Sequence, residues 1–401
     1  MTLEFEKLSQ DIDQMGRTTR NREEWRQKQL AEARQLLSQH ATDWETLRSC
    51  VERAKHEVGD KFFWAALPVD EREPLDQGIA PPTLPAQATL CATDGSQIMP
   101  DRHAPFLYYV INVGVMIYHH GHGQVPEALT FPHIRYPSDD PEENLLEFAP
   151  ANVSIKRDLA EIGTLARTVW ENRYAAAPLI AILDQRLLYW PIGNIDSAEQ
   201  DTTIDTWLEK MSDIQRCNGI LAGYIDRPNK ISVLNMLESL KVGTPQFDTG
   251  RFSRQQQTLT DVDLFCEILK PGQRSPVFID ISTRNERFEQ AGQAVCFFYL
   301  NPGRNNDKQI ARVDVPIWVA QDPTLINQLH ALIYHQCQIL LGSYPYILTR
   351  ADEVAVVGRQ DQEYLDSWIA LTMQRYGMNG SQTNKQSTKD IARAGKTRHE
   401  M

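Results

Sequence analysis

The sequence predicts an α/β fold: a mixed sheet of three antiparallel strands and then parallel strands, flanked by helices, with helical additions at both ends. Apolar runs of strand length lie in the middle of the chain, and short turns separate the first three. Helical patterns separate the later runs, as expected for parallel strands. The first 66 residues and those after residue 324 have the apolar spacing of helices.

Residues 1–66 are predicted to form an N-terminal helical extension. Charges are dense there, and apolar residues recur three and four positions apart, as in Leu30, Ala33 and Leu37. Prolines recur over residues 67–87, which are predicted to be a linker because proline interrupts both helices and strands. The functional domain is then predicted to span residues 88–376.

Three runs begin the predicted sheet. Residues 88–93 are apolar and lead into Asp94 and Gly95, residues 106–119 are rich in Tyr, Val and Ile, and residues 128–134 form a third run. Because the connections are short, these strands are predicted to be antiparallel.

Helices alternate with strands in the next segment. The apolar residues of 153–172 share one helical stripe, and buried strands are predicted at 179–183, ending in Asp184, and at 220–225, ending in Asp226. These later strands are predicted to run parallel to the first, because a helix lies between them.

The remaining elements are predicted from weaker patterns. Helices are expected at 261–269, 324–341, 347–357 and 364–376, and strands at 293–300 and 310–319. Residues 377–401 contain no aromatic residue and are rich in polar side chains, with five Lys and Arg against two Asp and Glu. They are predicted to be a disordered tail.

Composition excludes several classes of protein. The 401 residues carry a net charge of −12, which argues against a protein that coats nucleic acid through bulk positive charge, but not against a site that gathers carboxylates around cations. Six cysteines without a C-x-x-C pair suggest a reduced, cytoplasmic protein. The acidic N-terminus does not resemble a signal peptide. The most apolar stretch, about 13 residues at 106–118, is too short to span a membrane.

Asp94 and Asp184 are the first candidates for a functional site. Each follows an apolar strand and is predicted to begin a turn, and the carboxyl ends of neighbouring parallel strands converge on one crevice. An aspartate at such a position also forms turns or caps helices without any function. Their occurrence on the first and fourth strands favours a shared site.

This arrangement, with an acid on the first strand and another on the fourth, resembles the RNase H-like nuclease fold. Such sites place two divalent cations between carboxylates, where the ions polarise the phosphate and activate water. Mg²⁺ or Mn²⁺ suits these oxygen ligands. The fold also implies an acid on the intervening helix, where Glu161 and Glu171 are about three turns apart. Glu161, one turn after Arg157, is preferred, and Glu171 is the alternative.

Six short motifs extend this resemblance to a family. In chain order they are TDGSQ at 93–97, RDLAE at 157–161, LIAILDQRLLYW at 179–190, LAGYIDRP at 221–228, RVDVPIWV at 312–319 and SYPYILTRAD at 343–352. Together they resemble the NurA family of DNA nucleases over roughly residues 88–358. The order and spacing of the motifs, more than any single one, carry the resemblance.

The resemblance implies a function in DNA repair. It implies a metal-dependent nuclease that digests DNA ends 5′ to 3′ with some endonuclease activity, a homodimer, and a HerA-type ATPase translocase as partner. It also implies that Asp94, Glu161 and Asp184 bind two Mn²⁺ or Mg²⁺ ions.

Two positions depart from the family pattern. Gln185 stands where the family has a glycine after the strand aspartate. Tyr344 matches the tyrosine of a Tyr-Pro pair, but Asp352 stands eight residues later, where the family has a histidine. Because aspartate is an oxygen ligand for either ion, Asp352 is predicted to complete the metal site. Tyr344 is predicted to order a water molecule or to stack on a base, with packing in the core as the alternative.

These departures leave two further interpretations open. The chain could be a catalytically weakened structural adaptor of a DNA-processing translocase assembly, or a hydrolase that uses the same carboxylates on a mononucleotide. Arg227, Lys230 and Arg274 either contact phosphate or are solvated cations. Asp226 is either an extra acid or a turn residue, and the histidines of YHHGH at 118–122 are predicted to form a surface turn rather than a metal site.

Overall fold

The computed structural model describes residues 5–59, 63–101, 104–137, 145–192, 195–241, 259–304, 309–340 and 343–378. The chain folds into two compact units. Unit 1 comprises residues 1–86, 184–188 and 220–346, and unit 2 comprises residues 87–183, 189–219 and 347–401. The predicted disordered tail lies outside the described residues from residue 379 onward.

Most of the predicted helices and strands are present, but the elements at residues 65–68, 278–281, 283–290 and 317–320 were not predicted. The described helices are α1 (Phe5–Gln39), α2 (Trp44–Val58), α3 (Pro150–Glu171), α4 (Ser197–Arg216), α5 (Ser232–Leu240), α6 (Asp261–Cys266), α7 (Thr283–Gln290), α8 (Ile317–Ala320), α9 (Pro323–Ile339), α10 (Tyr346–Ala355) and α11 (Arg359–Arg375). The described strands are β1 (Ala65–Pro68), β2 (Ala88–Ile98), β3 (Tyr109–His120), β4 (Glu127–Arg135), β5 (Leu179–Leu183), β6 (Gly219–Ile225), β7 (Phe278–Ile281), β8 (Val295–Leu300) and β9 (Ala311–Pro316).

Unit 2 contains a mixed sheet, as predicted. Its described strands lie in the order β4–β3–β2–β5, in which β2, β3 and β4 are antiparallel and β5 runs parallel to β2. Every residue of β5 is buried, which explains its uninterrupted apolar sequence. This is the strand arrangement of an RNase H-like fold, and the predicted fold class is confirmed.

The prediction that β2 ends at Thr93 is wrong. β2 continues to Ile98, because residues 94–98 pair with residues 110–114 of β3. The ladder to β5, by contrast, ends at the pair Thr93–Leu183. Asp94 therefore lies within a strand and not in a turn, since pairing with β3 outweighs the weak strand propensity of the polar residues.

Helices cover the sheet of unit 2. The apolar stripe of α3, including Val153, Ile162 and Leu165, is buried, and Val153 packs in a cluster with Tyr109 of β3. The C-terminal helices pack there as well: residues of α11 contact a cluster that includes Tyr108, whose hydroxyl donates a 2.6 Å hydrogen bond to Asp366.

Unit 1 holds a second group of strands, in the order β1–β7–β8–β9–β6. Each described pair in it is antiparallel. The N-terminal helices α1 and α2 contribute Leu37 and Leu47 to a core that also contains Phe278 of β7 and Phe297 of β8. The predicted helix over residues 1–66 is two helices, because Asp43 caps the start of α2.

The proline-rich segment 67–87 belongs to unit 1 as far as residue 86. β1 pairs with β7, Leu75 is fully buried, and Ile79 forms an isolated bridge with Arg274. The guanidinium of Arg274 donates hydrogen bonds of 2.6 and 3.0 Å to the two carboxylate oxygens of Glu73. The prolines therefore shape an ordered connection.

None of the described helices is long and apolar enough to cross a membrane. All six cysteines lie in the described ranges and are free thiols.

Candidate active site

Helix α3 brings Glu161 onto strand β2. The hydroxyl of Thr93 donates a 3.1 Å hydrogen bond to the backbone oxygen of Glu161, and the Glu161 residue is only 5% exposed. Its carboxylate occupies the space that a Cβ on Gly95 would fill. Gly95 is therefore required by the close approach of α3, and not by a turn.

Arg157 lies one turn before Glu161 among carboxylates. Its Nε is 3.1 Å from Glu161 Oε1, and its Nη2 donates a 2.8 Å hydrogen bond to Asp158. Burial disfavours the charged guanidinium, but the hydrogen bond to Asp158 and the charges of Glu161, Asp158 and Asp94 outweigh it and raise the pKa of Arg157. Arg157 thus stays protonated and balances three negative side chains.

Asp158 and Tyr189 are two residues of this environment that the sequence analysis missed. The Tyr189 hydroxyl donates a 3.2 Å hydrogen bond to Asp158 Oδ2, and the Tyr189 ring stacks on Trp207 with centroids 4.3 Å apart. Asp158 was recognisable in the RDLAE motif, because it lies beside Arg157. Tyr189 lies in the motif around Asp184, but an aromatic residue after a strand does not by itself indicate a contact with α3.

The predicted strand acids follow the end of one ladder. Thr93 and Leu183 form the last pair between β2 and β5, and the residue after each is an aspartate, Asp94 and Asp184. Asp94 is half-buried and its Oδ1 accepts a 2.8 Å hydrogen bond from the Gly95 N–H. Asp184 is exposed.

Helix α10, which carries Asp352, packs on the sheet at Gly114. A Cβ on Gly114 would collide with backbone atoms of Ala351 and Ala355. Gly114 pairs directly with Asp94, and directly paired residues direct their side chains to the same face. Because neighbouring residues of a strand face opposite ways, α10 lies on the face opposite the one where α3 contacts Gly95.

Hydrogen bonds fix the end of α10 to β2 and β3. The Ala355 carbonyl accepts hydrogen bonds from Ser96 Oγ at 2.6 Å and from Asn112 Nδ2 at 2.8 Å. The Val357 N–H in turn donates to Ser96 Oγ at 3.1 Å. Asp352 itself is exposed, and its side chain has no hydrogen bond or ion pair with another described residue.

The remaining predicted residues lie elsewhere. Glu171, the alternative to Glu161, is exposed at the end of α3, with an oxygen 3.9 Å from Arg167. Tyr344 is half-buried in unit 1, and its ring meets the edge of Tyr224 with centroids 5.4 Å apart. The structure thus brings Glu161, and not Glu171, to the strand that carries Asp94.

Contacts within unit 1 position the turn after Asp184. The Leu187 N–H donates a 3.1 Å hydrogen bond to Asp314 Oδ2. The Gln185 carbonyl lies against Gly223, where a Cβ would collide with it. Gln185 is not among the described residues with a positive φ, so its backbone does not require the glycine of the family pattern.

Two of the other polar candidates have structural roles. Arg274 is buried and held by Glu73, so it is not available for a ligand. His119 lies at the end of β3 with its Nε2 3.0 Å from Glu127.

The carboxylates of unit 2 fit a hard divalent cation by their chemistry. All are oxygen donors, and Gly95 leaves the space that the Glu161 carboxylate occupies. Within the described ranges, however, no group of three or more His, Cys, Asp or Glu side chains is arranged to hold an ion. The guanidinium of Arg157 supplies the positive charge there.

A comparison with models of protein families identifies one family. A family model described as the NurA domain matches residues 88–357. No curated protein matches the chain. The crystal structure of the NurA nuclease from Sulfolobus solfataricus is similar at 12% identity, with a TM-score of 0.45, over 82% of this chain and 92% of that chain. The catalytic domain of human Endonuclease V is similar at 11% identity, with a TM-score of 0.32, over 81% and 96%.

Proposed function

Because the chain belongs to the NurA family, we propose that it is a nuclease that hydrolyses phosphodiester bonds of DNA. One observation carries the proposal: Glu161 of α3 is buried against Gly95, next to Asp94, where the ladder between β2 and β5 ends and Asp184 follows in the sequence. Metal-assisted hydrolysis uses carboxylates from distant segments of a chain, and the contact of Glu161 with strand β2 supports such a use here.

The proposed metal ligands are Asp94, Glu161, Asp184 and Asp352. Two Mn²⁺ or Mg²⁺ ions bound by them would polarise the phosphate and activate water. Arg157, whose Nε lies 3.1 Å from Glu161 Oε1, would balance part of the negative charge of these ligands.

The proposed reaction is digestion of DNA ends 5′ to 3′ with endonuclease activity, during repair in the cytoplasm. Tyr344 would order water or stack on a base. With a net charge of −12, the protein alone is expected to bind DNA weakly, so a HerA-type translocase would deliver the substrate to a homodimer of this chain.

Cleavage of a linear DNA in Mn²⁺ tests the proposal. We expect Asp94→Asn and Glu161→Gln to reduce the rate by roughly a hundredfold or more, because each removes a charged ligand. Glu171→Gln is the matched control, since it makes the same change on the same helix at an exposed position. Two results would contradict the assignment of Glu161 as the ligand on α3. One is cleavage by Glu161→Gln at the wild-type rate, and the other is loss of cleavage in Glu171→Gln but not in Glu161→Gln.

A structural adaptor is the second candidate. Arg157 already balances the carboxylates, and Asp352 replaces the histidine of the family pattern. Both features are compatible with a weakened metal site. The test compares the wild type with Asp94→Asn. If the wild type binds a translocase but neither protein cuts DNA in Mn²⁺ or Mg²⁺, the result would favour the adaptor function.

A further inference from the structure

Unit 1 contains a buried arginine within a network of charges. Arg312 of β9 is 4% exposed, and its Nε donates a 2.7 Å hydrogen bond to Asp314. Its Nη2 is 3.7 Å from Asp280, and its guanidinium lies 3.8 Å above the ring of Phe297. Its Nη1 is buried without a hydrogen-bond partner among the described residues. Arg312 therefore retains one unused donor nitrogen.

The carboxylates near Arg312 are already engaged by groups of the protein. Asp314 accepts a hydrogen bond from the Leu187 N–H, and Asp280 accepts one of 2.7 Å from Ser282.

Asp261, the third carboxylate, accepts hydrogen bonds from the N–H groups of Val233 and Leu234 and from the Tyr299 hydroxyl, at 2.8 to 3.1 Å. Folding thus uses much of the accepting capacity of these three carboxylates.

Three further cations interact electrostatically with this network. Lys230 is repelled by Arg312 and Arg186 and attracted by Asp280 and Asp314, and Arg284 is repelled by Arg186 and attracted by Asp280. Burial, followed by repulsion from Arg312, lowers the pKa of Lys230; burial, followed by repulsion from Arg186, lowers the pKa of Arg284. Four cations thus face three carboxylates.

Two of these cations are available for a ligand. Neither Arg186 nor Lys230 forms an ion pair with an acidic residue in the described part of the chain. Asp280 and Asp314 offset the repulsion at Lys230 only in part, since the pKa of its ammonium is still lowered. On a protein with a net charge of −12, such a cluster is a local exception that suits an anionic ligand.

An aromatic side chain adjoins the cations. Trp64 is 41% exposed, and the Lys230 ammonium lies 5.7 Å from its ring centroid. Asn235 donates a 2.6 Å hydrogen bond to the Trp64 carbonyl and so holds this residue in place. Exposed aromatic rings beside cations bind single-stranded nucleic acid, because the ring stacks on a base while the cations contact phosphates.

We propose that Arg186 and Lys230, supported by Arg312, bind phosphate groups of a DNA strand, and that Trp64 stacks on one of its bases. The proposal deepens the proposed nuclease function and rests on it, because Arg186 lies two residues after Asp184. Since phosphate contacts carry no sequence information, binding here is independent of base sequence and weakens with salt.

Binding of a fluorescent single-stranded oligonucleotide to the full chain, in EDTA and over a range of salt concentrations, tests the proposal. The double variant Arg186→Gln, Lys230→Gln is expected to bind about tenfold more weakly, with a salt dependence smaller by about 0.7 per lost phosphate contact. Trp64→Leu is expected to weaken binding about tenfold without changing the salt dependence.

Two controls separate this site from general charge and from loss of folding. Arg48→Gln removes an exposed cation that is paired with Glu71 and is expected to bind as the wild type does. Lys230→Arg keeps the charge and is expected to retain binding, and thermal unfolding of each variant shows whether it folds. Wild-type affinity in the folded double variant, or equal weakening in Arg48→Gln, would overturn the proposal.

Competition identifies the ligand. Unlabelled strands are expected to displace the probe at much lower concentration than a mononucleotide or inorganic phosphate; equal competition by phosphate would overturn the assignment to a strand. Binding is measured in EDTA, which prevents metal-dependent cleavage, so the two proposals can fail separately. If the protein binds the strand but does not cut DNA in Mn²⁺, the nuclease proposal fails. If the protein cuts DNA but its binding is unaffected by substitution of Arg186 and Lys230, the present proposal fails.

Discussion

At the scale of single residues, two glycines determine how closely helices approach the sheet of unit 2. Gly95 admits the side chain of Glu161, and Gly114 admits the backbone of α10. The two differ in what a methyl group would meet, because a carboxylate at the end of a flexible side chain can move and a helix backbone cannot. Substitutions at these glycines are therefore expected to separate function from stability.

We expect Gly95→Ala to impair cleavage more than folding. The new Cβ would collide with Glu161 Oε1 and would come within 2.7 Å of Arg157 Cγ, so both side chains must move. The free energy of unfolding should fall by only about 1 kcal/mol, whereas the cleavage rate in Mn²⁺ should fall at least about tenfold if Glu161 is a ligand. Thermal unfolding and initial cleavage rates measure the two effects.

Gly163→Ala is the control for this substitution. Gly163 lies in α3 with open space where its Cβ would be, so alanine should stabilise the helix by about 0.5–1 kcal/mol and leave cleavage unchanged. Equal cleavage by the two alanine variants would show that the position of Glu161 does not matter.

Single residues also show the limit of what the sequence predicts. The prediction of Asp94, Glu161 and Asp184 as site residues comes from motifs and strand order. The contacts that link Arg157, Asp158 and Tyr189 cannot be predicted in this way, because they depend on a contact between α3 and a segment about thirty residues later. The sequence predicts a turn that begins at Asp94, because a glycine such as Gly95 that is needed for close approach has the same local sequence as one needed for a bend.

At the scale of elements, the start of α5 depends on a residue from another helix. Asp261, the first residue of α6, accepts hydrogen bonds from the N–H groups of Val233 and Leu234, which have no partner within α5. Burial nevertheless raises the pKa of Asp261 to about 6, since the carboxylate is fully enclosed.

This pKa predicts a pH dependence of stability. The folded state binds a proton near pH 6 and the unfolded state only near pH 4, so the contribution of Asp261 to stability increases as the pH falls through this interval. Between pH 7 and pH 5 the free energy of unfolding of the wild type should rise by about 1 kcal/mol relative to Asp261→Asn. Denaturant unfolding of both proteins at the two pH values measures this; an unchanged difference would contradict the raised pKa.

The contact of α10 with β3 gives a second prediction at this scale. Gly114→Ala would place a methyl group against the backbone of Ala351 and Ala355, which cannot move without displacing α10. We expect a loss of about 1–3 kcal/mol in the free energy of unfolding and faster hydrogen exchange in α10. Exchange in α10 as slow as in the wild type would show that the helix tolerates the methyl group.

Strand β5 shows when an element is predictable from the sequence. β5 has the predicted bounds, because all five of its residues are apolar and buried. β9 was predicted to reach Val319 but ends at Pro316, where proline lacks an N–H for the ladder and precedes the short helix α8. The extension of β2 depends on pairing with β3, which the local sequence does not encode.

At the scale of the whole molecule, two buried groups act in opposite directions on acid stability. His330 of α9 is fully buried and donates a 2.8 Å hydrogen bond from Nε2 to the Gly272 carbonyl. Burial lowers its pKa to about 4. As the pH falls through 6.5 toward 4, the unfolded chain takes up a proton that the folded chain does not, and stability is lost.

We therefore expect His330→Gln to make the protein less sensitive to acid. Over the range from pH 7 to pH 4 the wild type should lose about 3 kcal/mol relative to this variant. Asp261 offsets part of that loss in the wild type, so the double variant with Asp261→Asn should show a flatter profile than Asp261→Asn alone. Chemical unfolding across this pH range measures the profiles, and parallel curves for wild type and His330→Gln would refute the prediction.

The division of the chain into two units is the feature that the sequence predicts least. Sequence patterns mark elements and their limits, but each unit combines three separate stretches of the chain, and no local signal marks where the chain returns. The five residues 184–188 belong to unit 1 while the stretches on both sides belong to unit 2.

This interleaving has a consequence for synthesis in the cell. Leu37 and Leu47 emerge from the ribosome early, but their core partners Phe278 and Phe297 are more than two hundred residues downstream. The two leading helices must wait for most of translation with their apolar faces exposed, where a chaperone can bind them. In nascent chains stalled before residue 278, a protease should therefore cut α1 and α2 more readily than in the complete folded chain.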